Sequence, residues 1–107
     1  MIRKGMVRGI KPECVKEYEK THSDVWPEIL KKITDCNIKN YSVFAQGDRL
    51  FSFFEYHGNN YEEDTIKMRD NNIFEKWEKL HQDMFKPLEG QEFDQGWIEL
   101  NEIFRKD

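Results

Sequence analysis

Hydrophobic residues recur every three or four positions after Pro12, which is the spacing of one face of an α-helix. The residues on this face are Val15, Tyr18, His22, Val25, Ile29, Ile33 and Cys36. Pro12 suits the first turn of a helix, and the periodic face runs to about residue 35. Pro27 lacks a backbone N–H and disfavours helical geometry in the residue before it, so we expect the helix to be broken near Ser23.

Apolar and polar residues alternate in other parts of the chain, which is the pattern of β-strands. The predicted strands are residues 1–10, Lys39–Gln46, Arg49–Tyr56 and Trp97–Phe104. Gly47 and Asp48 are expected to form a two-residue turn that joins the second and third strands as a hairpin.

A further helical region lies between the third and fourth strands. Asn59 and Asn60 offer N-caps to the segment YEEDTIKMRD, whose acidic first turn favours a helix N-terminus. Asn71 and Asn72 offer caps to a second stretch with helical spacing, which contains Ile73, Trp77, Leu80 and Met84. We expect Pro87 to end this helix and LEGQEFDQG to form a loop.

The predicted order of elements is strand, helix, strand, strand, helix, strand. This order is typical of the split βαβ, or ferredoxin-like, α+β fold, in which helices cover one face of an antiparallel sheet. The chain has 107 residues, no internal repeat of fixed period and no low-complexity tract. We therefore expect residues 1–107 to be a single domain.

The segment Leu50–Tyr56 is apolar on both of its faces, because Phe54 and Tyr56 alternate with Phe51 and Phe53. A strand of this kind is covered on both sides, whereas the helices of this fold cover only one side. We expect a second copy of the chain to cover the other face, giving a homodimer with its sheets packed face to face in a barrel-like assembly. A ligand in a pocket lined by aromatic side chains is the alternative cover.

Composition narrows the class of protein. The net charge is −4, with both signs interspersed, which argues against a nucleic-acid-binding protein because such proteins normally have a basic face. The N-terminus does not resemble a signal peptide, and no segment approaches the ~20 apolar residues that span a bilayer. Cys14 and Cys36 form no C-x-x-C motif, and no further cysteine completes a zinc set. We expect a cytoplasmic protein with reduced thiols and no membrane partner.

His22 is the first candidate for chemistry. It shares a helical face with Tyr18 and Trp26, so its ring is expected to face the sheet. A core histidine satisfied by a neighbouring polar group is the structural alternative. Three features favour function: Tyr18 can exchange a proton, Trp26 offers a flat surface for a sugar, and the break near Ser23 can open a polar cavity. The unperturbed pKa of histidine, about 6.5, suits proton transfer in both directions near neutral pH.

Other aromatic and ionisable residues carry weaker signals. Trp77 lies on the apolar stripe of its helix, where core packing is the plainer interpretation, and Lys76 beside it would by itself be a solvated lysine. His81 is expected at the rim or surface, and His57 in a loop. Tyr41 is expected to be buried, with its hydroxyl bonded to a ligand or to another side chain.

Several common catalytic motifs are missing from the chain. It has no phosphate-binding loop, no Rossmann glycine set and no nucleophile elbow, and its three histidines do not have metal-ligand spacing. No metal site is therefore predicted. A histidine that converges with tyrosines and tryptophans on one pocket suits acid–base chemistry on a small neutral polar molecule.

The start MIRK, the helix EYEKTHSDVWPEI, the strand NYSVF and the KW pair, in this order and at these distances, resemble the L-rhamnose mutarotase family. The resemblance covers essentially the whole chain and is most specific in the Y-x-x-x-H-x-x-x-W-P helix. It implies a ferredoxin-like subunit that dimerises. It also implies a cytoplasmic enzyme that interconverts the α and β anomers of a 6-deoxy sugar without a cofactor.

The resemblance also assigns roles to individual residues. His22 matches the family's proton donor, and Tyr18 and Tyr41 match substrate-binding tyrosines. Positions 76 and 77 match a pair that is Trp-Trp in bacterial rhamnose enzymes, whereas this chain has Lys76 and Trp77. This departure bears on the identity of the sugar more than on the reaction class, and L-fucose is a natural competitor of L-rhamnose.

The implied reaction removes a proton from the anomeric hydroxyl and delivers one to the ring oxygen. The ring opens, the aldehyde rotates, and the steps reverse. His22 is expected to be the acid/base, and Trp77 to stack on the sugar. Tyr18 or a bound water is expected to be the second proton-transfer group. Two other classes stay open: a haem-degrading or cofactor-free oxygenase of the dimeric ferredoxin-like type, and a non-catalytic small-ligand-binding module.

Overall fold

The computed structural model describes all residues from 1 to 107. The strands are β1 (Ile2–Gly9), β2 (Ile38–Gln46), β3 (Arg49–Tyr56) and β4 (Ile98–Leu100). The α-helices are α1 (Val15–His22), α2 (Pro27–Asp35), α3 (Tyr61–Arg69) and α4 (Asn72–His81). Short 3₁₀ turns at Pro12–Cys14 and Gln82–Met84 precede α1 and follow α4. None of the helices has the length and apolar character that crossing a bilayer requires.

The four strands form one sheet in the order β2-β3-β1-β4, and every neighbouring pair is antiparallel. β1 and β2 are joined through helices and have β3 between them, while β3 and β4 are joined through helices and have β1 between them. Each connection is therefore a split βαβ unit. The predicted ferredoxin-like α+β fold is confirmed.

The first helical region is broken where the proline rule predicts. α1 ends at His22 and α2 begins at Pro27. Trp26 has φ −54° and ψ 134°, which is the extended geometry favoured before proline. The predicted break near Ser23 is confirmed, and it turns the chain immediately after His22.

Asparagine side chains begin the two later helices. Asn60 Oδ1 accepts from the Glu63 amide at 3.1 Å, and Asn71 Oδ1 accepts from the Ile73 amide at 2.8 Å. Both predicted caps are confirmed. α4 ends at His81, before Pro87, because the chain then joins the end of β1: Ile10 and Phe85 form an isolated antiparallel bridge.

The last strand is shorter than predicted. Only Ile98–Leu100 pairs with β1, opposite Gly5, Met6 and Val7, and the chain beyond Leu100 has no strand partner. Ile103 and Phe104 are 95% and 81% exposed. The prediction of a strand over Trp97–Phe104 is wrong in its second half, because the fold of one chain offers no surface on which its alternating apolar residues are buried.

The core lies between the helices and one face of the sheet. It contains two clusters, the first formed by Ile10, Tyr18, Leu50 and Phe85, and the second by Ile38, Phe54 and Tyr56. Phe51 and Phe53 project from the opposite face of β3 and are only half-buried, and Phe44 on β2, which pairs with Phe51, is 64% exposed. The face that the helices do not cover is therefore an open apolar surface.

Candidate active site

Tyr18 and His22 lie four residues apart on α1, so their rings meet on one face of the helix. The ring centroids are 4.0 Å apart and the planes differ by 22°, which is a stacked arrangement. Both residues line a cleft of about 240 Å³ between α1 and the β2–β3 hairpin. The other lining residues are Glu19, Ser23, Val43, Phe44, Ala45 and Leu50. This volume lies below the roughly 300–1,000 Å³ of pockets for drug-sized ligands, and it suits a smaller molecule.

The hydrogen bonds of His22 define its tautomer. Nδ1 lies 2.8 Å from the carbonyl oxygen of Tyr18 and 3.0 Å from Oγ1 of Thr21. A carbonyl oxygen only accepts, so Nδ1 carries the hydrogen and the lone pair of the neutral ring is on Nε2. Burial lowers the pKa of His22 below its usual 6.5, although the Tyr18 carbonyl opposes this, and His81 lowers the pKa further. His22 is therefore neutral at pH 7, with Nε2 free to accept a proton.

His81 is buried, with only 2% of its surface exposed. The prediction of a rim or surface position is wrong, because the buried face of α4 passes through Trp77 and His81, whereas Leu80 is 46% exposed. Both ring nitrogens are hydrogen-bonded, which offsets the cost of burial. Nδ1 is 2.8 Å from the Trp77 carbonyl oxygen, and Nε2 is 2.7 Å from Thr21 Oγ1. Burial lowers the pKa of His81, opposed by the Trp77 carbonyl and the charge of Glu78.

Trp77 packs beside both His22 and His81. Its ring packs edge-on against His22 at 5.1 Å and against His81 at 4.6 Å between ring centroids. Trp26, on the far side of the helix break, contacts Trp77 edge-on at 5.0 Å. Trp77 therefore belongs to the packed interior and also borders His22, so the core interpretation and the site interpretation apply to the same residue.

Tyr41 is turned onto the helix side of the sheet by a β-bulge. The pairing of β2 with β3 shifts between Lys39 and Ser42, and Asn40 has a positive φ of 52°. The Tyr41 ring stacks on Phe54, with centroids 5.7 Å apart. The prediction of a buried ring is wrong in part, since the residue is 41% exposed. Partial burial of the phenol group nevertheless raises the pKa of Tyr41 to about 12, with a smaller contribution from the charge of Glu78.

Two charged residues near Tyr18 are missed by the sequence analysis. Burial raises the pKa of Tyr18, Tyr41 and Glu78 add to the shift, and Arg8 opposes it. Glu78 is half-buried on α4, and its position three residues before His81 is the signal that could have revealed it. The Arg8 guanidinium donates to Asp94, with 2.6 Å between Nη2 and Oδ2. Arg8 lies two residues after Met6 on β1 and therefore on the same face of the strand. This position is the signal that could have revealed Arg8.

Lys76 and His57 lie outside this cluster. The Lys76 side chain is exposed on α4 and makes no ion pair or hydrogen bond. His57 follows β3 in a loop, as predicted, and its Nε2 lies 3.0 Å from a carboxylate oxygen of Glu55. The structure therefore brings together Tyr18, His22 and Trp77, sets Tyr41 close enough to influence Tyr18 electrostatically, and leaves Lys76 at the surface. No group of three His, Cys, Asp or Glu side chains is close enough to hold one metal ion.

Structural comparisons support the fold. A crystal structure of an L-rhamnose mutarotase from Formosa agariphila superposes with a TM-score of 0.78 over all of both chains, at 21% sequence identity. A tetracenomycin F2 cyclase from Streptomyces glaucescens, a type-II polyketide cyclase, superposes with a TM-score of 0.71 over all of both chains, at 12% identity. At these identities the likeness is one of fold, because one fold hosts unrelated functions.

Sequence comparisons identify the family. An L-rhamnose mutarotase of Oceanobacillus iheyensis is 32% identical over 111 aligned positions, and one of Bacillus subtilis is 28% identical over 109. Both alignments cover all of this chain and all of the relative. A sequence model described as L-rhamnose mutarotase matches residues 3–106. These matches favour the mutarotase interpretation over the oxygenase and the binding module. The chain belongs to the L-rhamnose mutarotase family.

Proposed function

We propose that this protein interconverts the α and β anomers of L-rhamnose, or of a related 6-deoxy sugar such as L-fucose, by general acid–base opening of the sugar ring. Membership of a mutarotase family makes it an isomerase. The observation that carries the proposal is the stacked Tyr18–His22 pair, in which a neutral histidine with its hydrogen on Nδ1 lines the cleft.

The two members of this pair are in complementary protonation states. His22 has a lowered pKa and enters the reaction as a proton acceptor, whereas Tyr18 has a raised pKa and keeps its hydroxyl proton. Neighbouring titratable groups whose environments separate their pKa values are a common basis for acid and base roles. We assign His22 as the base in ring opening and Tyr18 as the proton donor.

The reaction then balances without any further reagent. His22 Nε2 takes the proton of the anomeric hydroxyl, the bond between the anomeric carbon and the ring oxygen breaks, and the ring oxygen receives a proton from Tyr18. The open-chain aldehyde rotates about the bond to its second carbon. Closure reverses the transfers, with the His22 imidazolium now acting as the donor. Such catalysis typically contributes ~10²–10⁴-fold, which is a large effect on a reaction that proceeds unaided in water.

The other site residues are proposed to bind and orient the sugar. The Tyr41 hydroxyl is proposed to bond to a sugar hydroxyl, and the Trp77 ring, which packs against His22, is proposed to contact the apolar side of the sugar. Lys76 is exposed on α4, next to Trp77 in the sequence, and its ammonium group is proposed to donate to a hydroxyl of the sugar. A charged donor at this position favours a sugar with a hydroxyl within its reach.

NMR saturation transfer between the anomeric protons tests the proposal. We expect L-rhamnose or L-fucose to exchange anomers faster with the protein than without it, and a panel of 6-deoxy sugars ranks the substrates. His22→Ala should reduce the enzymatic rate by about 10²-fold or more. Binding without faster exchange would identify a ligand-binding module, and a Soret band on adding haemin would favour a haem enzyme.

We also propose that the protein is a cytoplasmic homodimer. The dimer is supported by Phe44, Phe51 and Phe53, which form an open apolar sheet face that a second copy can cover. The cytoplasmic location is supported by Cys14 and Cys36, which are both free thiols.

Light scattering should give twice the 13.0 kDa of the chain. Phe53→Asp should return the mass to that of one chain, whereas the control Phe93→Asp, in a loop, should not. A monomeric wild type would contradict the dimer, and cell fractionation tests the location.

A further inference from the structure

Thr21 links two histidines that are distant in the sequence. Its Oγ1 lies 3.0 Å from Nδ1 of His22 and 2.7 Å from Nε2 of His81. The same oxygen is 2.9 Å from the carbonyl oxygen of Tyr18. Nδ1 of His22 also approaches this carbonyl, at 2.8 Å. The Thr21 hydroxyl therefore bridges the two rings, and the Tyr18 carbonyl lies within reach of both Thr21 and His22.

The hydrogens in this network can be placed in one consistent way. Nδ1 of His81 faces the Trp77 carbonyl, so it carries the hydrogen, and Nε2 of the neutral ring is an acceptor. Thr21 has a single hydroxyl hydrogen, and a lone pair on Nε2 of His81 faces it at the shortest of its three distances. The hydroxyl therefore donates to His81. Its own lone pairs are then left to accept from Nδ1 of His22.

His81 consequently keeps the Thr21 hydrogen away from the Tyr18 carbonyl. Without the acceptor on His81, the Thr21 hydroxyl would donate to this carbonyl at 2.9 Å and compete with Nδ1 of His22 for it. With His81 in place, the Nδ1–H of His22 has two acceptors, the Tyr18 carbonyl oxygen and the Thr21 hydroxyl oxygen. This arrangement favours the tautomer with Nε2 unprotonated and limits rotation of the ring.

We propose that Thr21 and His81 are positioning residues that hold the base His22 with its Nε2 lone pair directed to the substrate. The proposal rests on the proposed function for its effect on rate, whereas its structural part, the tautomer of His22, does not depend on that function. Neither residue is assigned to touch the sugar, and neither exchanges a proton with it.

Few ionisable groups surround this network. From the elements packed around it, the titratable and charged neighbours are Tyr18 and Glu19 on α1, Glu78 on α4, Tyr41 on β2 and Arg8 on β1. His22 and His81 themselves have ring centroids 5.0 Å apart. Protonation of both rings at once would place two positive charges at this distance, so the network favours the state in which His81 stays neutral while His22 gains and loses a proton.

A matched pair of substitutions at Thr21 tests the role of its hydroxyl. Thr21→Val removes the hydroxyl at nearly constant shape, and Thr21→Ser keeps it. We expect Thr21→Val to lower kcat for anomer exchange by up to about 10²-fold, as misorientation of a catalytic group does, with KM little changed. Thr21→Ser should restore most of the rate. His81→Phe, which keeps a ring but removes the acceptor, should resemble Thr21→Val.

A second measurement is independent of activity. The chain has only three histidines, so ¹⁵N-histidine spectra are readily assigned, and His57→Gln, at the surface, serves as the control variant. In the wild type, Nδ1 of His22 should show the shift of a protonated nitrogen and Nε2 that of an unprotonated one. In His81→Phe the two shifts should move toward each other, because the Thr21 hydroxyl then competes for the Tyr18 carbonyl and the tautomers mix. Thr21→Val removes this competitor, so it should keep the tautomer and loosen only the orientation of the ring.

The outcomes separate the two proposals. If both variants keep the wild-type kcat and a single His22 tautomer, the positioning role is wrong. If the wild type does not accelerate anomer exchange, the proposed function fails, and the ¹⁵N shifts still decide whether His81 sets the tautomer. If His81→Phe does not fold, the Thr21→Val and Thr21→Ser pair decides the matter, because this side chain is only partly buried.

Discussion

The imidazole of His22 stacks on the phenol ring of Tyr18, with 4.0 Å between the ring centroids, and the carbonyl of the same tyrosine accepts the Nδ1 hydrogen of the histidine at 2.8 Å. Tyr18 thus holds His22 by its ring and its backbone, while its hydroxyl stays available to a ligand. A single helical turn therefore places a proton acceptor beside a proton donor.

Removal of the Tyr18 hydroxyl tests the division of roles within this pair. Tyr18→Phe keeps the stacked ring and the backbone carbonyl, so the fold and the His22 tautomer should be retained. Because the donor to the ring oxygen is lost, kcat for anomer exchange should fall by roughly 10²-fold, toward the lower end of general acid–base effects. Saturation-transfer NMR measures this directly. An unchanged kcat would assign the second proton transfer to water.

The rate should depend on pH through His22. Burial lowers its pKa below 6.5, so the base is already free at pH 7 and the enzymatic rate should change little between pH 7 and 8. On acidification the rate should fall only below pH 6.5, as Nε2 becomes protonated. The profile of kcat/KM, after subtraction of the spontaneous reaction, checks this. A fall that begins above pH 7 would contradict a buried neutral base.

The same shifts predict how stability responds to acid. The pKa values of His22 and His81 are lowered in the folded chain, so below pH 6.5 the unfolded state binds more protons than the folded state. Stability should therefore fall as the pH drops from 6.5 toward 5.5. Denaturant melts at these two values measure the loss. His81→Phe should reduce it, and a stability that rises on acidification would contradict the assignment.

Lys76 should affect substrate binding more than the chemical step. Its side chain is exposed and makes no ion pair, so Lys76→Ala should leave the stability unchanged. If its ammonium contacts a sugar hydroxyl, KM should rise about 5- to 20-fold, the equivalent of one hydrogen bond to a charged group, with little change in kcat. Lys79→Ala, also exposed on α4, is the control. Equal KM values in both variants would place Lys76 outside the site.

The ion pair between Arg8 and Asp94 should stabilise the long loop before β4. Both side chains are largely buried, with 11% and 23% of their surface exposed, and the guanidinium lies 3.5 Å from the centroid of the Phe85 ring. Asp94→Asn should cost roughly 1–3 kcal/mol of unfolding free energy, because the Arg8 charge loses its partner. The exposed Arg49–Glu89 pair, at 4.0 Å, is the comparison. Denaturant unfolding of Glu89→Gln should show almost no loss.

Local patterns predicted those features that depend on neighbours along the chain. The Asn60 and Asn71 caps, the turn between β2 and β3, and the helix break before Pro27 each follow from the chemistry of a few adjacent residues. The order of elements then determined the antiparallel sheet, because only a few topologies connect such an order without crossings. The proximity of Tyr18 to His22 is likewise a consequence of one helical turn.

Features that depend on contacts between distant elements were decided by the tertiary structure. The burial of His81 could not be predicted from the sequence of α4. A helical face that contains Trp77 and His81 is as regular as one that contains Leu80, and only packing against α1 selects between the two faces. The bulge that turns Tyr41 toward the helices depends on the register of β2 against β3. The length of β4 depends on the partners available beyond Leu100.

The sequence by itself determined the fold class, the helix break and the Tyr18–His22 pair, since these arise from short-range geometry and from the order of elements. Only the tertiary structure decided that His81 is buried and which distant residue supports the hydrogen bonds around His22. The physical reason is that Thr21 and His81, 60 residues apart, become hydrogen-bond partners only when α1 and α4 pack together.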